Sequence, residues 1–599
     1  MCGIAGVLWR EPRHSQQSAE ILERMKHALR HRGPDDNGLH VDGAGRFAFL
    51  NTRLAIRDLL PAGHMPMRSP DGRLCITYNG EIYNAEELRE ELRRLGYAFR
   101  SHSDTEVVLA GYQHWGSEVA RKLRGMFAFA IADEAQLVLA RDPLGIKPLY
   151  YVQERDRFAF ASEIRAFVDG GLTSRAINAT AISAYLQLGS IPAPLTIYDD
   201  VRALEPGQLL EIDFQLALRQ RKYFHLAEPG RVRIDATVAD LLDDAVRTHL
   251  VSDVPVGAFL SGGIDSAAIV ALAAKHTEAL VTCTVTFDEA AHDESAIARS
   301  VAQRFRTTHH EVHVTHNSFV DDVPNIINAL DQPSIDGFNT WFISKAASHI
   351  GLKVVLSGLG GDELFGGYPT FRGVPRMLRA VTALQPVAGL TARAVSMRRG
   401  ARWRKVADAL RQTPSPESAF LTFRGLFTGK ELGNSESQFD ALDYVRERAR
   451  GSGDLRDWVS RAELRTYTAN QLLRDADAMS MAHSLELRVP FLDTRLVDSL
   501  LSLPSEERIG AGGKSVLREV MRTQLPDEVV NRRAKRGFTF PMQEWLAKPQ
   551  ARDLWDWNTN IKSIVAPELL TEVESGFRAG STHWSRAWSL IVLNQWQRQ

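Results

Sequence analysis

Cys2 opens the list of residues in this 599-residue chain that could do covalent chemistry. Removal of Met1 would leave it a free α-amine, with a pKa of ~7.7–8.0, able to act as general base for its own thiol. Alone, a cysteine at position two reads equally well as a small buried residue. The second candidate is the run Leu260-Ser261-Gly262-Gly263-Ile264-Asp265-Ser266, which follows an apolar stretch and opens a helical one. Two glycines let the backbone approach a ligand closely, and N–H groups at a helix start favour anions. An ordinary strand–turn–helix glycine pair would look similar, but the Ser-Gly-Gly-x-Asp-Ser spacing is far more specific. Two neighbouring runs imitate nucleotide loops without the spacing those need. Gly513-Lys514-Ser515 ends like a phosphate loop, yet Arg508 stands where the first glycine belongs. Gly358-Leu359-Gly360-Gly361-Asp362-Glu363 starts like a dinucleotide fingerprint and lacks its final glycine. His309, His310 and His313 have no zinc-ligand spacing and read as the wet face of a strand.

These groups need elements to position them. Short apolar runs at 4–8, 74–78, 126–131 and 137–140 end in Gly, Asn or Asp and read as strands. Helical periodicity covers 19–29 and 85–95, the latter behind Asn84 as N-cap. From about residue 235 the rhythm changes. Helices at 236–250, 266–275 and 294–305 alternate with strands at 256–260, 280–286, 308–314 and 353–356. Such βα alternation predicts a parallel sheet with its sites at the C-terminal strand ends. The rest reads as largely helical, so the class is α/β, in two domains at 2–210 and 235–599.

Composition narrows the function. Lys+Arg is 72 and Asp+Glu is 73, a net charge of −1. That argues against a surface that tracks nucleic acid or anionic membrane. No apolar run reaches the ~18–20 residues a spanning helix needs, and a secretory signal is not expected at the N-terminus. Three cysteines without a CxxC spacing give neither a disulfide framework nor a structural zinc site. A cytoplasmic enzyme is the expectation.

Read together, five segments carry a resemblance: Cys2-Gly3-Ile4-Ala5-Gly6, His31-Arg32-Gly33-Pro34-Asp35, Asn51-Thr52-Arg53-Leu54-Ala55-Ile56, Tyr78-Asn79-Gly80-Glu81, and Ser103-Asp104. They closely resemble the class II glutamine amidotransferase domain, an N-terminal-nucleophile glutaminase of αββα layers. The resemblance makes Cys2 the nucleophile that attacks the glutamine side-chain amide, with Asn79 and Gly80 as oxyanion donors. It makes Arg53, Leu54, Ile56, Asn79, Gly80, Glu81 and Asp104 the glutamine site, with Arg53 on the α-carboxylate. The Ser261–Ser266 loop resembles that of ATP pyrophosphatases. With Ser357-Gly358, Asp362-Glu363 and Lys535 in Arg532-Arg533-Ala534-Lys535-Arg536, the whole chain resembles the glutamine-hydrolysing asparagine synthetases. That family uses ATP, Mg²⁺, glutamine and aspartate. The resemblance implies that Leu260, Ser261, Gly262, Gly263, Asp265, Ser266, Val285, Ser357 and Gly358 bind ATP. Asp265 and Asp362 would hold Mg²⁺, and Lys535 would stabilise charge on the transferring phosphoryl group. A homodimer is among the assemblies it allows.

One departure stands out. The family usually carries a glutamate where this chain has Leu359, and leucine can neither take a proton nor accept a hydrogen bond. Either another carboxylate takes over, with Glu363 nearest in sequence, or the acceptor is not aspartate. The stretch 371–411 holds ten Arg or Lys residues against one Asp. Solvated helix faces account for it most simply, and an anionic acceptor such as a nucleotide-linked sugar acid is the sharper reading. The expected reaction is amidation of aspartate. The alternatives are amidation of another carboxylate in glycan or natural-product assembly, and a catalytically silent sensor, which the full motif set disfavours.

Overall fold

A computed structural model describes residues 2–230, 236–398, 400–433, 439–451, 453–532 and 540–598. Lys535 lies outside them.

The strand Cys2–Trp9 sits in the middle of a six-stranded antiparallel sheet, between Phe47–Arg53 and Arg157–Ala161. Alternate side chains point to opposite faces of a strand. Ile4 and Leu8 therefore enter the core against Ala128, Ala130, Leu137 and Leu139 of a second six-stranded sheet. Ala5, Val7 and Trp9 face the helix Ser15–Leu29 through Ile21, Leu22 and Met25. The second sheet repeats the pattern: Ile76, Tyr78, Phe127 and Phe129 pack on Val107 and Val108 of the helix Asp104–Trp115. Two stacked sheets with helices outside make the αββα layers that the resemblance implied. Because both faces are buried, these strands read as unbroken apolar runs.

The third sheet is parallel, in the order Thr308–His313, Val281–Thr286, Val256–Phe259, Val354–Leu356, Glu486–Arg488. Its last strand had no sequence signal: it is three residues long, two of them charged, and carries no period that a sequence scan could count. The helix Leu455–Ala462 continues through a ten-residue π-helical stretch, Glu463–Leu472, into Leu473–Met481. Asn84 does not cap its helix. Its side chain bonds the Lys122 carbonyl and the Arg124 N–H (both 2.9 Å), which pins the neighbouring loop instead. His309 and His313 bond Thr282 and Thr286 across strands, as the structural reading expected.

Buried ions join the first two sheets to the third. Arg32, fully buried, meets Glu163 and Asp477 at 2.7 Å each. Arg124 meets Asp493 at 2.7 Å and Asp244 at 2.8 Å. Removing one partner of a buried pair leaves the other charge stranded, at a cost of about 3–5 kcal/mol. Arg32→Met should fall near about 3 kcal/mol, because Lys147 still reaches Asp477 and His31 still reaches Glu163. A lowered midpoint in chemical denaturation is the expected result; an unchanged midpoint would show that Arg32 does not hold the two parts together.

Candidate functional site

Cys2 begins its strand opposite Arg53, and its backbone N–H donates to Asn79 Oδ1 at 3.0 Å. That bond fixes the Asn79 amide with Nδ2 buried and unpartnered. A buried donor without an acceptor is costly, so Asn79 holds a ready donor near the thiol. Burial pushes the thiol up, while Arg53 and a hydrogen bond from the Leu54 backbone pull it down. Gly80 must be glycine, since a Cβ there would lie 2.2 Å from the Met126 carbonyl oxygen. Asp104 accepts from Tyr78 OH (2.7 Å) and from the Ile82 N–H (2.9 Å). Arg53 is buried and donates to the Arg57 and Asp58 carbonyls. Glu81 bonds Arg57 (2.9 Å) and Arg488 (3.3 Å). Burial and nearby Asp104 raise its carboxyl to about 7. The side chains of Leu54 and Ile56 share an apolar cluster with Val354 and Met481, so only their backbones could meet a ligand.

The second site lies at the C-terminal ends of the parallel strands, around a cavity of about 1080 Å³. Leu260, Ser261, Gly262, Gly263, Asp265 and Ser266 line it, as do Ser357, Gly358, Leu359 and Asp362. Ser266 Oγ receives the Ser261 N–H at 3.0 Å and closes the loop. Gly358 presses on that loop: a Cβ there would lie 2.9 Å from the Ser266 nitrogen. The Gly262 N–H donates to Glu294 at 3.1 Å, and Glu294 is held by Arg532 at 2.9 Å. Val285 is different. Its side chain is buried in the core cluster and is not among the residues that line the cavity.

Lys514 follows a glycine that does not stand in phosphate-loop spacing. The structure puts its ammonium between Asp265 and Asp362, 2.6 Å from the latter. Those carboxylates raise its pKa further despite burial. No sequence signal pairs a lysine with a carboxylate 249 residues away. Two carboxylates converging on one cation make a donor set that suits Mg²⁺ completed by phosphate oxygens. Among the described residues no group of three or more His, Cys, Asp or Glu could hold a metal alone.

Glu363 does not fill the gap left by Leu359. It is 1 % exposed and does not line the cavity. Its carboxyl accepts from Thr468 (2.9 Å) and Tyr368 (3.1 Å), and burial beside Asp362 raises it to about 7. The helix Gly361–Phe365 turns it away from the Asp362 side. Besides Asp265 and Asp362, Asp336 lines the wall and accepts from the Gly337 N–H at 2.9 Å. Beside it, Tyr467 from the π-helical stretch lies 3.8 Å under the Arg424 guanidinium, which pairs with Glu463 at 2.7 Å. Such π stretches often mark functional sites.

Comparisons with known proteins agree with this two-site architecture. The glutamine amidotransferase domain model matches residues 1–224, and the asparagine synthase model matches residues 237–598. Asparagine synthetase [glutamine-hydrolyzing] 1 of Bacillus subtilis is 34% identical, over 94% of this chain and 90% of its own length. A putative asparagine synthetase [glutamine-hydrolyzing] of Mycobacterium tuberculosis is 35% identical over 97% and 93%. The amidase chry2 of Gibberella zeae is 29% identical over 92% and 90%. With that identity along nearly its full length, and a family model over more than half of it, the chain belongs to the asparagine synthase family, behind a glutamine amidotransferase domain.

Proposed function

We propose that the chain is a glutamine-dependent ligase that converts a carboxylate to its amide with ATP. The observation that carries this is the convergence of Asp265, Asp362 and Lys514 at the mouth of the Ser261–Ser266 loop, in one chain with a buried Cys2 and its poised Asn79 amide. At the first site the Cys2 thiolate attacks the glutamine carboxamide carbon. Asn79 Nδ2 and the Gly80 N–H receive the oxyanion. Ammonia leaves and water later releases glutamate from the thioester. Arg53 binds the α-carboxylate, and Asp104 and Glu81 lie where the α-ammonium would sit.

At the second site the acceptor carboxylate attacks the α-phosphorus of ATP and pyrophosphate departs. Ammonia then displaces AMP from the acyl adenylate. The Gly262 N–H meets the phosphates once Glu294 gives it up. Asp265 and Asp362 would hold Mg²⁺, which would shield phosphate charge. Lys514, which reaches both carboxylates, adds positive charge beside the phosphates, and Lys535, outside the described residues, is the lysine that the family resemblance assigns to the transferring phosphoryl group. We place this chemistry in the cytoplasm, where thiols stay reduced. Among the described residues no helix is long and apolar enough to cross a membrane.

Aspartate is the acceptor that the family name suggests. A second reading has one specific support. Beyond the nucleotide loop, the same cavity extends past Leu359 to Asp336, Tyr467, Phe423 and Trp584, an apolar and aromatic wall that aspartate alone would leave unfilled. In either case Asp336 is the carboxylate placed to accept a proton from the attacking ammonia or to bind an acceptor cation.

Cys2→Ala should abolish glutamine hydrolysis and leave amide synthesis from ammonium intact, while Asn79→Ala should slow hydrolysis by about 2.7–4 kcal/mol of barrier. Retained glutaminase activity in the first variant, or an unchanged rate in the second, would remove these residues from the chemistry. Lys514→Gln and Asp362→Asn should each lose acceptor-dependent ATP–pyrophosphate exchange and keep glutamine hydrolysis, and normal exchange in both would make the cluster purely structural. Exchange driven by aspartate and matched by asparagine formation supports the first acceptor reading. Good glutaminase activity without aspartate-driven exchange supports the larger acceptor, and Asp336→Asn should then lower kcat with the true acid far more than Glu363→Gln does.

A further inference from the structure

We propose that a second anion site continues from the catalytic cavity and holds a phosphate-bearing part of the acceptor. The proposal rests on the reading that the cavity activates a carboxylate acceptor. A groove of about 600 Å³ adjoins the cavity and shares Arg372, Arg376 and Gly513 with its wall. Arg518 also lines both, Arg379 and Arg456 line the rest, and among the described residues no Asp or Glu does. Arg372, Arg376 and Arg379 stand at i, i+4 and i+7 of the helix Thr370–Leu384, so they share one face.

Like charges at that spacing repel, and the chain as a whole has as many acids as bases to answer them. Nearby arginines do find carboxylates: Arg508 meets Asp457, Arg424 meets Glu463 and Arg532 meets Glu294. Those of the groove differ. Among the described residues, Arg372, Arg376, Arg379 and Arg456 have no carboxylate in ion-pair range. Backbone carbonyls steady them instead: Gly512 for Arg372, Pro375 for Arg379 (3.2 Å) and Gly510 for Arg456 (3.4 Å). Arg518 donates to the Gly513 and Arg532 carbonyls (3.3 and 3.0 Å). A carbonyl orients a guanidinium without neutralising it, so the groove keeps a concentrated positive field.

Forked guanidinium donors match phosphate oxygens bidentately. Four of them, Arg372, Arg376, Arg379 and Arg456, answer more negative charge than a single carboxylate carries. A phosphate or diphosphate ester fits. Its acid end would reach the adenylation site beside Leu359 and Asp362, while its phosphates pass Arg372 and Arg376 into the groove. Aspartate leaves this groove empty. Pyrophosphate leaving the nucleotide loop shares the same chemistry, so the test must tell the two apart.

The full chain is loaded with Mg²⁺ and α,β-methylene-ATP, which fills the nucleotide loop. Inorganic pyrophosphate and UDP-glucuronate, a carboxylate on a diphosphate, are then titrated by calorimetry, alone and in competition. Both should bind once per chain, compete with each other, and weaken as salt rises. Arg379→Glu with Arg456→Glu should weaken both by about tenfold or more, the matching Arg→Lys pair should keep most of the affinity, and exposed Arg393→Glu should change nothing. Glutamine hydrolysis by the same proteins reports whether they are folded. Binding of neither probe, or binding indifferent to the charge reversals, overturns the proposal. Binding of pyrophosphate without binding or competition by UDP-glucuronate makes the groove an exit route and overturns it too. Failure of the underlying reading shows elsewhere, as absence of ATP–pyrophosphate exchange with every acid tried, because the titration needs no turnover.

Discussion

The guanidinium of Arg488 is the tie on which the two sites depend. It is fully buried and donates to Glu486, to Glu81 and to the carbonyls of His249 and Val251. Its own carbonyl receives the Ser357 N–H of the nucleotide wall at 2.8 Å. One residue therefore touches the glutamine-site strand, the edge of the parallel sheet and the ATP cavity. Burial alone would raise the Glu486 carboxyl, but Arg488 and then Lys147 hold it down to about 2. Glu81, farther from the same guanidinium and close to Asp104, is pushed the other way. Arg32, reaching from the backbone of Cys2 to Asp477, makes a second such tie. Buried ion pairs are poor sources of net stability, but their geometry is specific. Here that specificity holds two chemistries in one fixed arrangement.

Each charged position around the ATP cavity already has a partner. Glu294 occupies the Gly262 N–H, Lys514 spans Asp265 and Asp362, and Glu463 answers Arg424. A buried charge without a partner is expensive, so the protein supplies carboxylates and an ammonium where phosphates and a cation would go. Substrate binding on this scheme exchanges partners rather than creating charge contacts from nothing. Arg372, Arg376 and Arg379 are the exception, and their exposure to water is what makes an unpaired stripe tolerable there.

On the acceptor side, Leu359 leaves one wall apolar, and the polar groups that remain are tiered behind it. Asp336 lies at the surface of the cavity, with Tyr467 and Arg424 stacked next to it and Glu463 beneath. Glu363, Thr468 and Tyr368 form a separate buried knot. A side chain one position along a short helix thus faces a different compartment from Asp362, which a linear reading had no means to see.

What the sequence determined by itself was local chemistry. Cys2 with its neighbours, Asn79-Gly80 and the Ser261–Ser266 loop are contiguous groups whose spacing is the geometry, so they could be named from the chain as candidates. The two apolar sheets were legible for the same reason: strands buried on both faces leave unbroken runs. The tertiary structure decided everything that depends on distant partners. It set Lys514 between Asp265 and Asp362, a placement the sequence did not signal. It took Val285 out of the cavity wall, replaced Glu363 by Asp336 on its surface, and made a strand of Glu486–Arg488. It also gathered Arg372, Arg376, Arg379, Arg456 and Arg518 from separate segments into one groove. Charged side chains carry no period of their own, and the partner that gives each a role lies tens to hundreds of residues away, so only the folded chain could assign them.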